Sequence, residues 1–126
     1  MEEFVNFKIS SKLRTKGFNV ECSHYYWVEN KNLYKGYPSQ DWNQKRDKYS
    51  APNISQVLDW LREEKKIYVC IIPFATHATI DKIAFFYHIV YGSNGITMNE
   101  IEQDIYSIKW EKSAIAAIKY VVNNLI

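Results

Sequence analysis

The amino-acid sequence predicts an α+β domain, in which two or three helices pack on one face of a small antiparallel sheet of about three strands. Apolar residues recur at helical spacing in three segments, which begin near Phe7, Asn53 and Ala114. Between these segments lie one alternating run and two runs that are apolar on both faces, as expected for strands. This order of elements, with sequential strands next to helices, is typical of the α+β class. The length of 126 residues predicts a single domain, 1–126.

The first predicted helix carries Phe7, Ile9 and Leu13 on one side and ends at Gly17, because glycine readily adopts the left-handed cap conformation. The run from Val20 to Val28 then alternates between two faces, which predicts a half-buried strand.

The segment Glu29–Ser50 shows no hydrophobic period and is rich in Asn, Lys, Gly and Pro. We therefore predict a long loop without secondary structure, a feature that is often functional in a compact domain.

The second helix begins at Asn53, a good N-cap residue, and Gln56 stands at the position that a capping box requires. Pro52 disfavours an earlier start, and Lys65 and Lys66 suit the C-terminal end of the helix dipole. Its apolar stripe comprises Ile54, Val57, Leu58 and Leu61.

Two strands follow, Ile67–Phe74 and Lys82–Tyr91, which we expect to form a hairpin through the loop around Ala75–Asp81. Pro73 is expected to end the first strand and the turn residues Gly92–Gly95 the second. The segment after Ile96 is predicted to be a short helical turn or an irregular return. A last helix, capped at Ser107, carries the apolar residues Ala114, Ile115, Ile118, Val121, Val122 and Leu125. Trp60 and Trp110 are expected to cover helix–sheet seams.

Both hairpin strands are apolar on two faces, although helices cover only one face of a small sheet. Large exposed apolar patches are rare on monomers. The second face is therefore expected to be covered either by the Glu29–Ser50 segment, acting as a lid, or by another chain, as in a homodimer.

The charge and the cysteines favour a protein of the reduced cytoplasm. The net charge is +2, with nine Lys/Arg against six Asp/Glu in residues 1–50 (+3) and seven against eight in residues 51–126 (−1). This asymmetry is too weak to imply nucleic acid by itself. No apolar run approaches the roughly 20 residues of a membrane span, and the first residues do not resemble a secretory signal. Cys22 and Cys70 are too few for a disulfide framework.

The sequence predicts no enzyme, cofactor or metal site. Ser50 lacks the flanking glycines of a nucleophile elbow and is interpreted as a turn residue before the helix. Cys22 and His24 are interpreted as a core thiol beside a hydrogen-bonded histidine, because a zinc site needs three or four ligands. The acidic residues of the second helix and of the segment after Ile96 are expected to be solvated.

The long segment is the candidate binding site, because it interleaves flat rings with positive charge. Its predicted binding residues are Tyr34, Tyr37, Trp42, Lys45, Arg46 and Tyr49, with Lys31, Lys35 and Lys48 beside them. Tyr, Trp and Arg are the usual anchors of protein interfaces, which favours an unknown protein partner. The same mixture binds single-stranded nucleic acid, and a module that uses residues 31–49 in this way is the alternative.

Several features together resemble a family of small uncharacterised proteins encoded by gut bacteria and by their phages and mobile elements. They are Gly17-Phe18 followed by Cys22, "YSAP" (49–52) leading into "VLDWLREEKKI" (57–67), Ile72-Pro73, and the ending "AIKYVVNNLI" (117–126). The resemblance covers Ser10 to Ile126 and fits poorly over Ile96–Tyr106. It implies a cytoplasmic accessory protein and carries over no catalytic residue.

Overall fold

A computed structural model describes residues 3–75, 83–93, 97–102 and 109–126. It contains three helices and two separate antiparallel sheets of three strands each. The α+β class is therefore confirmed, but the single predicted sheet is replaced by two. The helices are α1 (Phe7–Thr15), α2 (Ile54–Lys65) and α3 (Trp110–Asn124); the strands are β1 (Cys22–Trp27), β2 (Leu33–Gln40), β3 (Lys48–Ser50), β4 (Ile67–Ala75), β5 (Ile83–Ser93) and β6 (Thr97–Glu102).

Helix α1 begins at Asn6, whose side chain accepts a hydrogen bond from the backbone N–H of Ile9 at 2.9 Å. It ends as predicted, with Gly17 at φ +89°, a conformation that side chains other than glycine rarely adopt. Ile9 and Leu13 are buried, and Phe7 is half-buried.

The structure corrects the prediction that Glu29–Ser50 is a long loop. This segment supplies β2, β3 and a short 3-10 helix (Trp42–Gln44), and the two strands pair with β1 in the order β2-β1-β3. We call this sheet 1. Most residues of β2 are exposed on both faces of the strand. Its sequence therefore does not alternate between apolar and polar residues, which is the pattern that predicts a half-buried strand.

Helix α2 has the predicted capping box. The Asn53 side chain accepts from the Gln56 backbone N–H at 2.8 Å, and the Gln56 side chain accepts from the Asn53 backbone N–H at 3.0 Å. The helix ends at Lys66, whose φ of 56° is left-handed. Its buried side chains are Ile54, Val57, Trp60 and Leu61, so Trp60 packs in the core as expected.

Replacing Asn53 by Ala is expected to lower the free energy of unfolding by about 1 kcal/mol, because a helix N–H then loses its partner. Ser55→Ala in the same first turn is the matched control, since Ser55 is exposed and lies outside the capping box. Urea denaturation of both variants measures the difference. Equal stability of the two variants would contradict a role for the capping box.

The second sheet, sheet 2, has the order β4-β5-β6, and the predicted hairpin pairing of β4 with β5 is confirmed. The prediction that Pro73 ends the ladder is wrong: β4 continues to Ala75, with Pro73 opposite Phe85. Because β4 is an edge strand, a residue without an N–H is tolerated where that group would point away from the sheet.

The segment after Ile96 forms strand β6 at Thr97–Glu102, so the predicted helical turn or irregular return is wrong over these residues. The prediction that a turn begins at Gly92 is wrong, because Gly92 and Ser93 belong to β5. Residues 94–96, residues 76–82 of the predicted hairpin loop, and residues 103–108 lie outside the described residues. So does Ser107, the predicted helix cap; helix α3 instead has Lys109 at its N-cap.

One hydrophobic core joins the three helices and both sheets. Sheet 1 contributes Cys22, Trp42 lies next to it on the 3-10 helix, and sheet 2 contributes Tyr87 and Ile89. Helix α3 presents its small residues to this core, and the Ser113 hydroxyl donates to the Phe85 carbonyl oxygen on β5 at 3.0 Å. Its buried residues are Ser113, Ala114, Ala117, Ile118, Val121 and Val122.

The lid prediction is wrong, because Glu29–Ser50 forms strands of sheet 1 instead of lying over sheet 2. Tyr68 and Cys70 on the outer face of β4 stay exposed. Trp110 lies at a helix–sheet seam as predicted, because it lines the space between helix α2 and strand β4, but it is 37% exposed and does not close this seam. No helix in the described ranges is long and apolar enough to span a membrane.

Candidate protein-binding surface

The most exposed apolar side chains of sheet 1 lie on its edge strand β2. Leu33 and Tyr34 are each 40% exposed, and Tyr37 is 95% exposed. We call these three residues the β2 surface. They are three of the five large apolar side chains that are exposed in the described part of the chain. Leu33 and Tyr34 are consecutive, so their side chains leave opposite faces of the strand. The candidate contact is therefore the edge of β2, with Tyr37 as its most exposed side chain.

A bulge in β2 projects Tyr37 away from the sheet. Cys22 pairs with Gln40 and His24 pairs with Lys35, so the four residues 36–39 stand opposite the single residue Ser23. The extra residues cannot all pair with β1, so the regular pairing of the two strands is interrupted there. The peptide bond between Tyr37 and Pro38 within this bulge is cis.

Tyr34 is held in place by its neighbours and does not extend freely into solvent. Its ring stacks on Tyr25 with centroids 5.9 Å apart, and its hydroxyl accepts a hydrogen bond from the Asn30 side chain at 3.0 Å. An aromatic ring that is already ordered loses little conformational entropy when a partner binds.

Trp42 lies beneath this surface and is not part of it. The side chain is only 4% exposed, and its indole N–H donates to the Cys22 carbonyl oxygen at 2.7 Å. Its ring packs against Tyr25 at 4.7 Å between centroids. The sequence predicted Trp42 as a binding residue, whereas the structure makes it a core residue that supports the sheet.

Two cations of the segment, Lys31 and Lys48, lie over the protein's own rings. The Lys48 ammonium is 5.1 Å from the Tyr25 centroid, 5.3 Å from Trp27 and 5.4 Å from Trp42. The Lys31 ammonium lies 5.5 Å from the Phe7 centroid. Contacts of this kind are attractive because the ring face carries negative charge. These two lysines therefore stabilise the fold of the segment.

Arg14 of helix α1 contacts the C-terminal part of the segment Glu29–Ser50 and joins it to the helix. Its guanidinium donates to the carbonyl oxygens of Lys45 and Lys48 at 2.8 and 2.7 Å, and lies 5.0 Å over the Tyr49 ring. Tyr49 is half-buried and stacks on Phe7 at 5.4 Å. Four of the six predicted binding residues are exposed: Tyr34, Tyr37, Lys45 and Arg46. The other two are not, since Tyr49 is half-buried and Trp42 is buried.

Asn43 is a structural residue that the sequence analysis missed. Its amide nitrogen donates to the Phe18 carbonyl oxygen at 2.9 Å, and its amide oxygen accepts from the Ser50 backbone N–H at 2.9 Å. One side chain thus joins the end of the first helical region to β3. The only hint in the sequence is Asp41, whose side chain accepts from the Asn43 backbone N–H and begins the short helix.

The Cys22 and Ser50 side chains lie buried together under sheet 1. Burial raises the pKa of the Cys22 thiol to about 12, and the Asp41 charge raises it further. The thiol donates to the Val20 carbonyl oxygen at 3.4 Å. The His24 ring contacts Phe4 at 4.2 Å, and its Nδ1 shares a hydrogen bond with the Ser23 hydroxyl at 2.8 Å. The described side chains include no group of three or more His, Cys, Asp or Glu that could hold a metal ion.

The raised pKa of Cys22 predicts a loss of stability at alkaline pH. The folded protein keeps the thiol proton at a pH where the unfolded chain, with an ordinary pKa of 9.0, releases it. This stabilisation is complete below about pH 9 and is lost as the pH rises toward 12. Burial also raises the pKa values of Tyr26 and Tyr87, which act in the same direction at higher pH.

Urea denaturation at about pH 8 and about pH 10 tests this dependence. Cys22→Ala is expected to decrease the difference between the two pH values, whereas Cys70→Ala, at an exposed thiol, leaves it unchanged. If the stability of both variants changes with pH as that of the wild type does, then retention of the Cys22 thiol proton does not contribute to the loss of stability at alkaline pH.

Comparisons with protein-family models, curated proteins and solved structures found no match to this chain.

Proposed function

We propose that this protein is a non-enzymatic accessory protein of the cytoplasm that binds another protein through the β2 surface. The observation that carries the proposal is Tyr37, which is 95% exposed on a bulge, with Tyr34 and Leu33 on the same edge strand. Tyrosine combines a large apolar area with a hydroxyl, and it is among the residues most often found at the centre of protein interfaces.

Tyr37 is proposed to insert into a pocket of the partner, while the backbone of β2 plays a smaller part. Pro38 has no N–H, and the bulge interrupts regular pairing, so a partner strand cannot continue along this edge. Lys35 on the same strand is exposed and favours an acidic rim on the partner surface.

Nucleic-acid binding by residues 31–49 is less well supported than protein binding. Base stacking needs accessible rings, but Trp42 is buried and Tyr49 stacks on Phe7. Phosphate binding needs accessible cations, but Lys48 is half-buried over the Tyr25, Trp27 and Trp42 rings. The exposed cations of the segment are Lys31, whose ammonium lies over the Phe7 ring, and Lys35, Lys45 and Arg46.

The binding experiment identifies the partner by affinity enrichment from the native cells and then measures dissociation constants by calorimetry. Tyr37→Ala is expected to weaken binding about 30-fold, the effect of removing an interface hot spot worth about 2 kcal/mol. Lys45→Ala is the comparison variant and is expected to change binding by less than about 3-fold. The thermal stability of both variants should remain that of the wild type.

The salt dependence separates the two kinds of partner. Binding to phosphates weakens steeply with salt concentration, whereas a contact centred on Tyr37 does not. Binding of single-stranded DNA or RNA that is lost in Lys45→Ala and unaffected by Tyr37→Ala would replace the proposal with the nucleic-acid alternative.

A further inference from the structure

A second candidate contact lies between helix α2 and strand β4. This α2–β4 cleft has a volume of about 360 Å³, within the range of sites that receive ligand side chains. Tyr68 and Trp110, the other two exposed large apolar residues of the described chain, both line it. Its remaining lining residues are Ser55, Leu58, Asp59, Arg62, Val69 and Cys70.

The cleft lies at the edge of β4 that no strand of the described ranges pairs with. Side chains alternate between the two faces of a strand, yet the consecutive residues Tyr68, Val69 and Cys70 all line the cleft. A cavity lined by three consecutive residues fits a position beside the strand. Among the described strands only β5 pairs with β4, on the opposite side, so the cleft faces the edge of β4 that no described strand occupies.

An unpaired edge offers alternating backbone N–H and C=O groups, and an extended peptide is the ligand that matches this pattern. The residues of β4 that line the cleft include no proline, and Pro73 lies three positions beyond them. The β2 surface differs in this respect, because Pro38 interrupts that edge.

The charged groups of the cleft wall pair with each other and do not select a charged ligand. Arg62 lies 3.0 Å from the Asp59 carboxylate and 3.6 Å from that of Glu63. The specificity is therefore expected to come from an apolar side chain of the peptide placed against Tyr68 and Trp110.

We propose that the α2–β4 cleft binds an extended segment of a partner protein, which adds to sheet 2 as a fourth strand next to β4. The same edge in a second copy is flanked by its own α2 helix. If two copies paired edge to edge through β4, the α2 helix of each copy would lie at the contact between them. An extended segment of a partner protein carries no such helix and can approach β4 directly. This contact is independent of the β2 surface.

The test selects peptides from a phage-displayed library of random sequences on the 126-residue chain and measures their binding by fluorescence polarisation. Ser55→Tyr places a ring in the cleft and is expected to weaken the selected peptides at least 10-fold. Glu64→Tyr on the same helix is the control, because Glu64 is exposed and does not line the cleft. Glu64→Tyr and Tyr37→Ala should both leave peptide binding unchanged.

A second measurement detects the added strand directly. N-methylation of single peptide bonds removes one donor at a time, so binding should be lost at alternate positions of the selected peptide and kept at those between. Equal binding to Ser55→Tyr, no alternation along the peptide, or no peptide enriched above the unselected library would each overturn the proposal. A wild-type dimer that becomes a monomer in Ser55→Tyr, measured by light scattering, would assign the cleft to a second copy instead.

Discussion

Gly36→Ala is expected to lower the free energy of unfolding by about 3 kcal/mol. A Cβ at position 36 would lie 2.2 and 2.5 Å from two carbons of the Trp42 ring and 3.1 Å from the Tyr25 ring. The indole cannot turn away freely, because it is buried and its N–H is bonded to the Cys22 carbonyl oxygen. Overpacking of this kind typically costs about 1–3 kcal/mol, and here it also disturbs a buried hydrogen bond.

Gly17→Ala is the matched control for this substitution. Gly17 has a positive φ, but no atom lies within 4 Å of an added Cβ. Its replacement should therefore cost only the backbone strain, about 1 kcal/mol. In urea denaturation Gly36→Ala should be clearly the less stable variant, and Trp42→Phe in the same chain should recover part of the loss. If Gly17→Ala lowers the free energy of unfolding more than Gly36→Ala does, then β2 does not pack against the Trp42 ring as closely as described.

Trp42→Ala is expected to lower the free energy of unfolding by about 3–5 kcal/mol, the usual range for removing a large buried aromatic side chain. The substitution opens a cavity beneath sheet 1 and leaves the Cys22 carbonyl oxygen without its indole donor. It also removes one of the three rings under the Lys48 ammonium. Thermal or urea unfolding measures the effect.

Tyr37→Ala is the comparison for Trp42→Ala, because both remove an aromatic ring from the same segment. Tyr37 is 95% exposed, so its loss should change stability by less than about 0.5 kcal/mol. Similar stability of the two variants would mean that Trp42 is an exposed residue, as the sequence alone suggested.

The helices were predictable because their signals are local. The Asn53–Gln56 capping box and the left-handed Gly17 depend on residues within one turn of the helix ends. The apolar face of α3 likewise follows from its spacing alone. For such elements the sequence contains most of the information that determines the structure.

Sheet 1 was only partly predictable, because its pairing depends on residues distant in the chain. Strand β2 is exposed on both faces and lacks alternation, and its Gly36 and Pro38 are typical of loops. What makes this segment a strand is its contact with β1 and with the Trp42 ring, which no local pattern records. Strand β6 was missed as well, although it pairs regularly with β5.

The sequence pointed to the segment that carries the most exposed rings of sheet 1, but it did not separate the exposed residues of that segment from the buried ones. Composition alone predicted both Trp42 and Tyr37 as binding residues, since both are aromatic residues in a basic stretch. Their roles differ because the indole N–H finds a buried carbonyl acceptor, whereas Tyr37 lies on a bulge. Distinguishing the two requires the register of β2 against β1.

Site-specific photo-crosslinking in the native cells tests the central claim, that the β2 surface binds a protein, most directly. A benzophenone amino acid replaces Tyr37 in one variant and Glu64, at an exposed position of α2, in another. The proposal predicts a discrete protein adduct from position 37 that position 64 does not give. Adducts only with nucleic acid, the same adducts from both positions, or none from position 37 would contradict it.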